Sequence, residues 1–140
     1  MSEANPTSIL RSVAAIFAGV MTVIVLSLGT DVILHATGIY PPWFQPMADP
    51  LWVLALAYRI VYGIAGGYVA GRFAPNKPMK HALIVGFIGL ALSIVGVAMH
   101  WNKGPEFGPK WFSVALVLTA LPCAWAGGKL VMARPRRQTA

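Results

Sequence analysis

Charge is scarce in this chain. Its 140 residues hold 4 Asp and Glu and 11 Lys and Arg, 11% in all, where a soluble domain carries about 25%. So few charges cannot cover the surface of a water-soluble domain that is 57% apolar. Cysteine is scarcer still. Cys123 stands alone, which excludes an intrachain disulfide and a Cys-pair redox centre. It lies in an apolar run and reads as a small packing residue. Catalytic pairings are lacking too: no serine, cysteine or lysine stands beside an evident base in the sequence, and no glycine loop has the strand and helix context that cradles a phosphate. The expectation is a protein that is not an enzyme and needs no cofactor. The net charge of +7 would suit nucleic acid, but no basic face is interleaved with aromatics, so nucleic-acid binding is not expected.

What the chain does have is long apolar runs. Four of them, at about 12–35, 51–73, 81–101 and 111–132, match the roughly 20 residues a helix needs to cross a bilayer. The expected fold is an all-α membrane protein, one domain over residues 1–140, built as a bundle of four transmembrane helices with the lipid bilayer as its surroundings. The first run is longer than a signal-peptide core and is followed by no small-x-small cleavage site, so it reads as a retained span. Met1–Leu10 is polar and reads as frayed.

Glycine is placed with regularity. In Leu51–Pro75, Gly63, Gly67 and Gly71 recur every four residues, a tandem G-x-x-x-G stripe suited to close helix approach. In the third span Ala82, Gly86, Gly89, Ser93, Gly96 and His100 follow steps of 4, 3, 4, 3 and 4, a small-residue seam at heptad spacing. Both stripes are expected to face protein. The first span offers Ala15, Gly19, Thr22 and Gly29, and the fourth Ala120, Ala124, Gly127 and Gly128. Pro122 frees the carbonyl of Leu118 and predicts a kink. The two hairpins faintly repeat one another: Ala65–Gly66–Gly67 and Ala126–Gly127–Gly128 match, and spans one and three end in His35 and His100.

The connections separate by charge. Gly38–Pro50 holds four prolines and breaks the helix; Tyr40, Trp43, Phe44 and Trp52 read as an interfacial aromatic anchor. Arg11, Arg72, Lys77, Lys80, Lys129, Arg134, Arg136 and Arg137 all fall toward the termini and the middle loop. Lys103 and Lys110 lie on the other side, with Asp49 and Glu106. The positive-inside rule then puts both termini in the cytoplasm.

Ionisable residues also fall inside the spans. Arg59 lies about nine residues into the second span, roughly 12 Å along it, where an arginine costs on the order of 2.5–3.5 kcal/mol to insert. Asp31 and His35, four apart, share a helix face. Antiparallel neighbours would bring Asp31, His35 and Arg59 to one outer layer, with His100 within reach. An Asp31–Arg59 ion pair is the bland reading of this cluster, and a path for an anion, a proton or a lipid headgroup is the sharper one. A metal site from Asp31, His35 and His100 lacks a recognised ligand spacing and is not expected.

Asp31-x3-His35, Tyr40–Pro41–Pro42–Trp43, Ala57–Tyr58–Arg59, Ala65–Gly66–Gly67–Tyr68, Pro78–Met79, His81–Ala82, Gly108–Pro109–Lys110–Trp111 and Leu121–Pro122–Cys123–Ala124–Trp125 give the chain a resemblance to small bacterial four-helix inner-membrane proteins of unassigned activity. The resemblance implies a location and no chemistry. Small multidrug exporters are similar in size and helix number, but their essential helix-1 carboxylate is a glutamate, and here Asp31 falls near the outer end. The leading expectation is a non-enzymatic membrane component that packs against itself as a homo-oligomer or against a membrane-protein partner. A small transporter or channel lined by the polar cluster is the alternative, and a membrane enzyme of unknown type stands third.

Overall fold

The computed structural model describes residues 6–43, 45–104 and 108–133. Four helices account for most of them: α1 (Pro6–Ala36), α2 (Asp49–Phe73), α3 (Pro78–His100) and α4 (Lys110–Ala133). Each is long and apolar enough to span a membrane. At 1.5 Å per residue α2, α3 and α4 run about 35–38 Å and α1 about 46 Å, against a hydrocarbon core of about 30 Å. The chain is a multi-pass membrane protein of four spans. Its first helix already includes residues 6–10, the second half of the stretch expected to be frayed, because Ile9 and Leu10 continue its apolar run; residues 1–5 lie outside the described residues.

Local sequence sets the helix ends. Gly38, at φ +80°, takes the left-handed conformation that closes α1, and the Tyr40 N–H returns to the Leu34 carbonyl at 3.0 Å. Proline stands in the first turn of both α2 and α3, where its missing N–H costs no hydrogen bond. α4 remains one helix through Pro122.

α2 and α3 form the short diagonal of the bundle, with α1 and α4 packed in the grooves on either side. Glycines decide how close the axes come. Gly66 abuts the backbone of Gly19 in α1, and a Cβ on Gly19 would lie 2.7 Å from the Gly66 carbonyl. Gly67 does the same to α4: a Cβ there would lie 2.6 Å from the Ala124 carbonyl. Gly127 returns against the Ile64 carbonyl and Tyr68 N–H of α2, and Gly128 against Met79 and Ala82 of α3. The two matching Gly-Gly pairs therefore use exchanged faces. Gly66 meets its own hairpin partner, whereas Gly127 meets the other hairpin. The short sequence match does not extend to equal contacts.

The small-residue surfaces are not all filled. Gly63 faces Cys123, Gly71 faces Pro78 and Val131, and Gly86 faces Ala124 and Leu121. Among the described residues, Gly89 and Gly96 have nothing within 4 Å of a Cβ position, and neither has Gly29. The buried residues of α3, His81, Ala82, Val85 and Gly86, all lie in its first half. So the seam expected to face protein along its length does so only as far as Gly86. Beyond it no described helix comes within 4 Å of a Cβ on Gly89 or Gly96.

One end of the bundle carries Arg11, Arg72, Lys77, Lys80 and Lys129, and the other carries the aromatic loops. At the aromatic end Gly108, φ +99°, leaves room for the Trp52 ring, which would stand 2.9 Å from an added Cβ. Tyr40 is a correction to the expected interfacial belt. It is only 3% exposed and packs with Ala55 and Phe112, because its hydroxyl finds partners inside the bundle. Trp43 stays exposed and Trp52 is half-buried; Phe44 lies outside the described residues. So do Glu106 and the basic tail from Arg134.

Candidate functional site

Arg59 and Asp31 meet across α1 and α2. The Arg59 Nη2 donates to Asp31 Oδ2 at 2.6 Å. The second carboxylate oxygen, Oδ1, accepts from the Tyr58 hydroxyl. Tyr58 is the hub of the cluster. Its oxygen also accepts from Arg59 Nη1 at 3.1 Å and from the Tyr40 hydroxyl at 3.2 Å, which uses the one donor and two acceptor positions that a phenol has. Arg59 Nη1 reaches the Ala55 carbonyl at 3.4 Å as well.

Aromatic rings enclose the cation. The guanidinium carbon lies 5.1 Å from the Tyr58 ring centroid and 5.7 Å from that of Phe112 in α4, within cation–π range. The ring of Phe112 packs on Trp52 at 4.8 Å. Tyr40, brought back by the turn at Gly38, meets the cluster from the side of the α1–α2 loop. Burial pushes the Tyr40 hydroxyl above its usual pKa, so it stays protonated near neutral pH and serves as a donor. One turn deeper, Thr30 and Tyr62 share a hydroxyl–hydroxyl bond of 2.7 Å, a second polar tie between α1 and α2. No buried side-chain nitrogen or oxygen among the described residues lacks a hydrogen-bond partner.

Of the two histidines expected near this cluster, His35 borders it: its ring meets that of Tyr40 edge-on, with centroids 5.3 Å apart. The Nδ1 of His35 is 2.7 Å from the Pro41 carbonyl, and its ring stacks on Trp43 at 3.7 Å. It fastens the α1–α2 loop, because the chain turns back at Gly38 and brings Pro41 to it. His100 bonds the Gly96 carbonyl of its own helix at 2.9 Å. Among the described residues no group of three His, Cys, Asp or Glu side chains is placed to hold a metal ion.

Sequence reading missed Tyr58 and His81. Tyr58 sits beside Arg59, and a hydroxyl next to an intramembrane charge was the available signal. His81 is 5% exposed at the basic end, where its Nδ1 lies 3.0 Å from the Lys77 carbonyl and its Nε2 2.9 Å from the Ser12 hydroxyl. A carbonyl can only accept, so Nδ1 carries the proton. A serine and a histidine 69 residues apart thus tie α1 to the start of α3, a pairing that spacing along the chain does not reveal. No family model, curated protein or solved structure matches this chain.

Proposed function

We propose that this protein is a non-enzymatic component of a bacterial inner membrane, with both termini cytoplasmic, and that it acts by helix packing against a second copy or another membrane protein. The carrying observation is the open half of the α3 seam. Gly86 is filled by α4, while a Cβ on Gly89 or Gly96, on the same stripe, would meet no described atom within 4 Å. Small residues that let a backbone approach are the usual contact surface between spans. The polar cluster supports the same reading from the other side. Both oxygens of Asp31 are engaged by neighbours, which describes a pin between α1 and α2.

The test separates association from folding. Gly96→Leu should weaken cross-linking to the partner or second copy about tenfold, a loss of about 1.4 kcal/mol. The thermal midpoint in detergent should stay near that of the unchanged protein, since an added Cβ has no described atom within 4 Å. Retained cross-linking would overturn the packing role. Solute flux in vesicles, abolished by Arg59→Ala in folded protein, would favour a transporter instead.

Topology has its own test. Reporter fusions at Ala140 and within 102–110 should report opposite sides, the first cytoplasmic. The basic residues at one end support this through the positive-inside rule. An Ala140 fusion found outside would reverse the orientation.

A further inference from the structure

We infer that the corner where α1 meets the start of α3 binds the phosphate headgroup of an anionic phospholipid. The Ser12–His81 bond, at 2.9 Å, brings Arg11 of α1 beside the turn that carries Lys77 and Lys80. Gly71 lies against Pro78, whose carbonyl would be 3.2 Å from an added Cβ, and this draws Arg72 to the same corner. All four cationic side chains are exposed.

The turn that holds them is fixed. Lys77 takes a left-handed backbone at φ 43°, and its carbonyl accepts from both the N–H and Nδ1–H of His81. Pro75 and Pro78 restrict the chain on either side.

Among the described residues no carboxylate compensates these cations. The two described carboxylates are Asp31 and Asp49, and both belong to the aromatic end. Outside the described residues, Glu3 is the one acidic side chain whose sequence position falls toward this end. Cations gathered from three helices repel one another, so an external anion is favoured. Exposed apolar side chains adjoin the cations: Leu10 next to Arg11, and Phe73 next to Arg72. Positive charge bordering an apolar face fits an amphiphile with an anionic head and acyl chains, and a free phosphate would leave the apolar part unused. Basic groups at the cytoplasmic ends of spans attract such headgroups by roughly 1 kcal/mol each.

The experiment uses the whole chain in neutral detergent. Phosphatidylglycerol, phosphatidylcholine and inorganic phosphate are added separately, with the thermal midpoint and lipid retention in native mass spectrometry as readouts. Phosphatidylglycerol should raise the midpoint and remain bound, the other two should do neither, and the effect should shrink at high salt. Lys77→Gln with Lys80→Gln should weaken retention about thirtyfold, from two cations at that strength. Because Lys77 has an unusual backbone, Arg11→Gln with Lys80→Gln serves as a second variant with the same expected loss. Lys103→Gln with Lys110→Gln, at the opposite end, should change nothing. Equal stabilisation by phosphatidylcholine, or full retention in either basic-end double variant, would overturn the site. An equal effect of inorganic phosphate would overturn its assignment to lipid.

Discussion

Arg59→Ala should lower the stability of the protein by about 2–3 kcal/mol, and Asp31→Ala by a similar amount. Breaking a buried ion pair strands the partner charge and typically costs about 3–5 kcal/mol. The smaller figure applies because the Arg59 side chain is 26% exposed and that of Asp31 12%, so each has some access to a more polar medium. The double variant should be more stable than the sum of the two losses predicts, because no charge is left alone. A coupling of about 1 kcal/mol or more in that cycle is the signature of direct contact. Tyr58→Phe should cost about 1–3 kcal/mol, since it removes the donor to Asp31 Oδ1 and the acceptor shared by Arg59 and Tyr40. Reversible unfolding in mixed micelles measures all four variants. Losses that simply add in the double variant would show that the pair does not act as one unit.

The α2–α4 contact should be still less tolerant. Gly67→Leu is expected to cost about 3 kcal/mol, the upper end of what overpacking does, and to broaden or abolish the monodisperse peak in detergent. The reason is what the new side chain meets. Its Cβ would lie 2.6 Å from the Ala124 carbonyl oxygen and 2.9 Å from the Ala124 Cα. Both are backbone atoms, which have no rotamer to escape into, so the helices must separate. Even Gly67→Ala should be harmful by the same argument. Two controls isolate the cause: Gly89→Ala adds a methyl group where no described atom stands within 4 Å, and Val61→Leu enlarges an exposed side chain of the same helix α2. Both should unfold within a few degrees of the unchanged protein. If Gly67→Leu proved as mild as these, α2 and α4 would not touch at Gly67.

Four spans were legible in the chain because transfer into lipid depends on composition and length, and both are local. The Asp31–Arg59 pair was legible for a related reason. Two opposite charges in apolar runs joined by a short connection have few other ways to be satisfied. Gly67 was legible as a contact position, but its partner Ala124 was not, since a G-x-x-x-G stripe says that something comes close and not which helix does. His35 and His100 show the limit of face arguments. Position on a helix gave the direction of each side chain and set His35 against Tyr40, but it did not give the carbonyls they bond: Pro41, supplied by the turn at Gly38, for His35, and Gly96 of α3 for His100. Tyr40 shows the same limit in a loop: composition assigned it to the interface, and the hydroxyl of Tyr58 drew it inward.

The sequence by itself determined the solvent of this protein, the number of its spans and the existence of a charge that had to be neutralised within them. The tertiary structure alone decided which surfaces met. α2 and α3 took the short diagonal, Gly86 was filled while Gly89 and Gly96 stayed open, and Ser12 was joined to His81. Helix packing in lipid has little hydrophobic drive to choose among apolar faces. The choice falls to shape and to a few hydrogen bonds between residues far apart in the chain, and neither is written in any single segment.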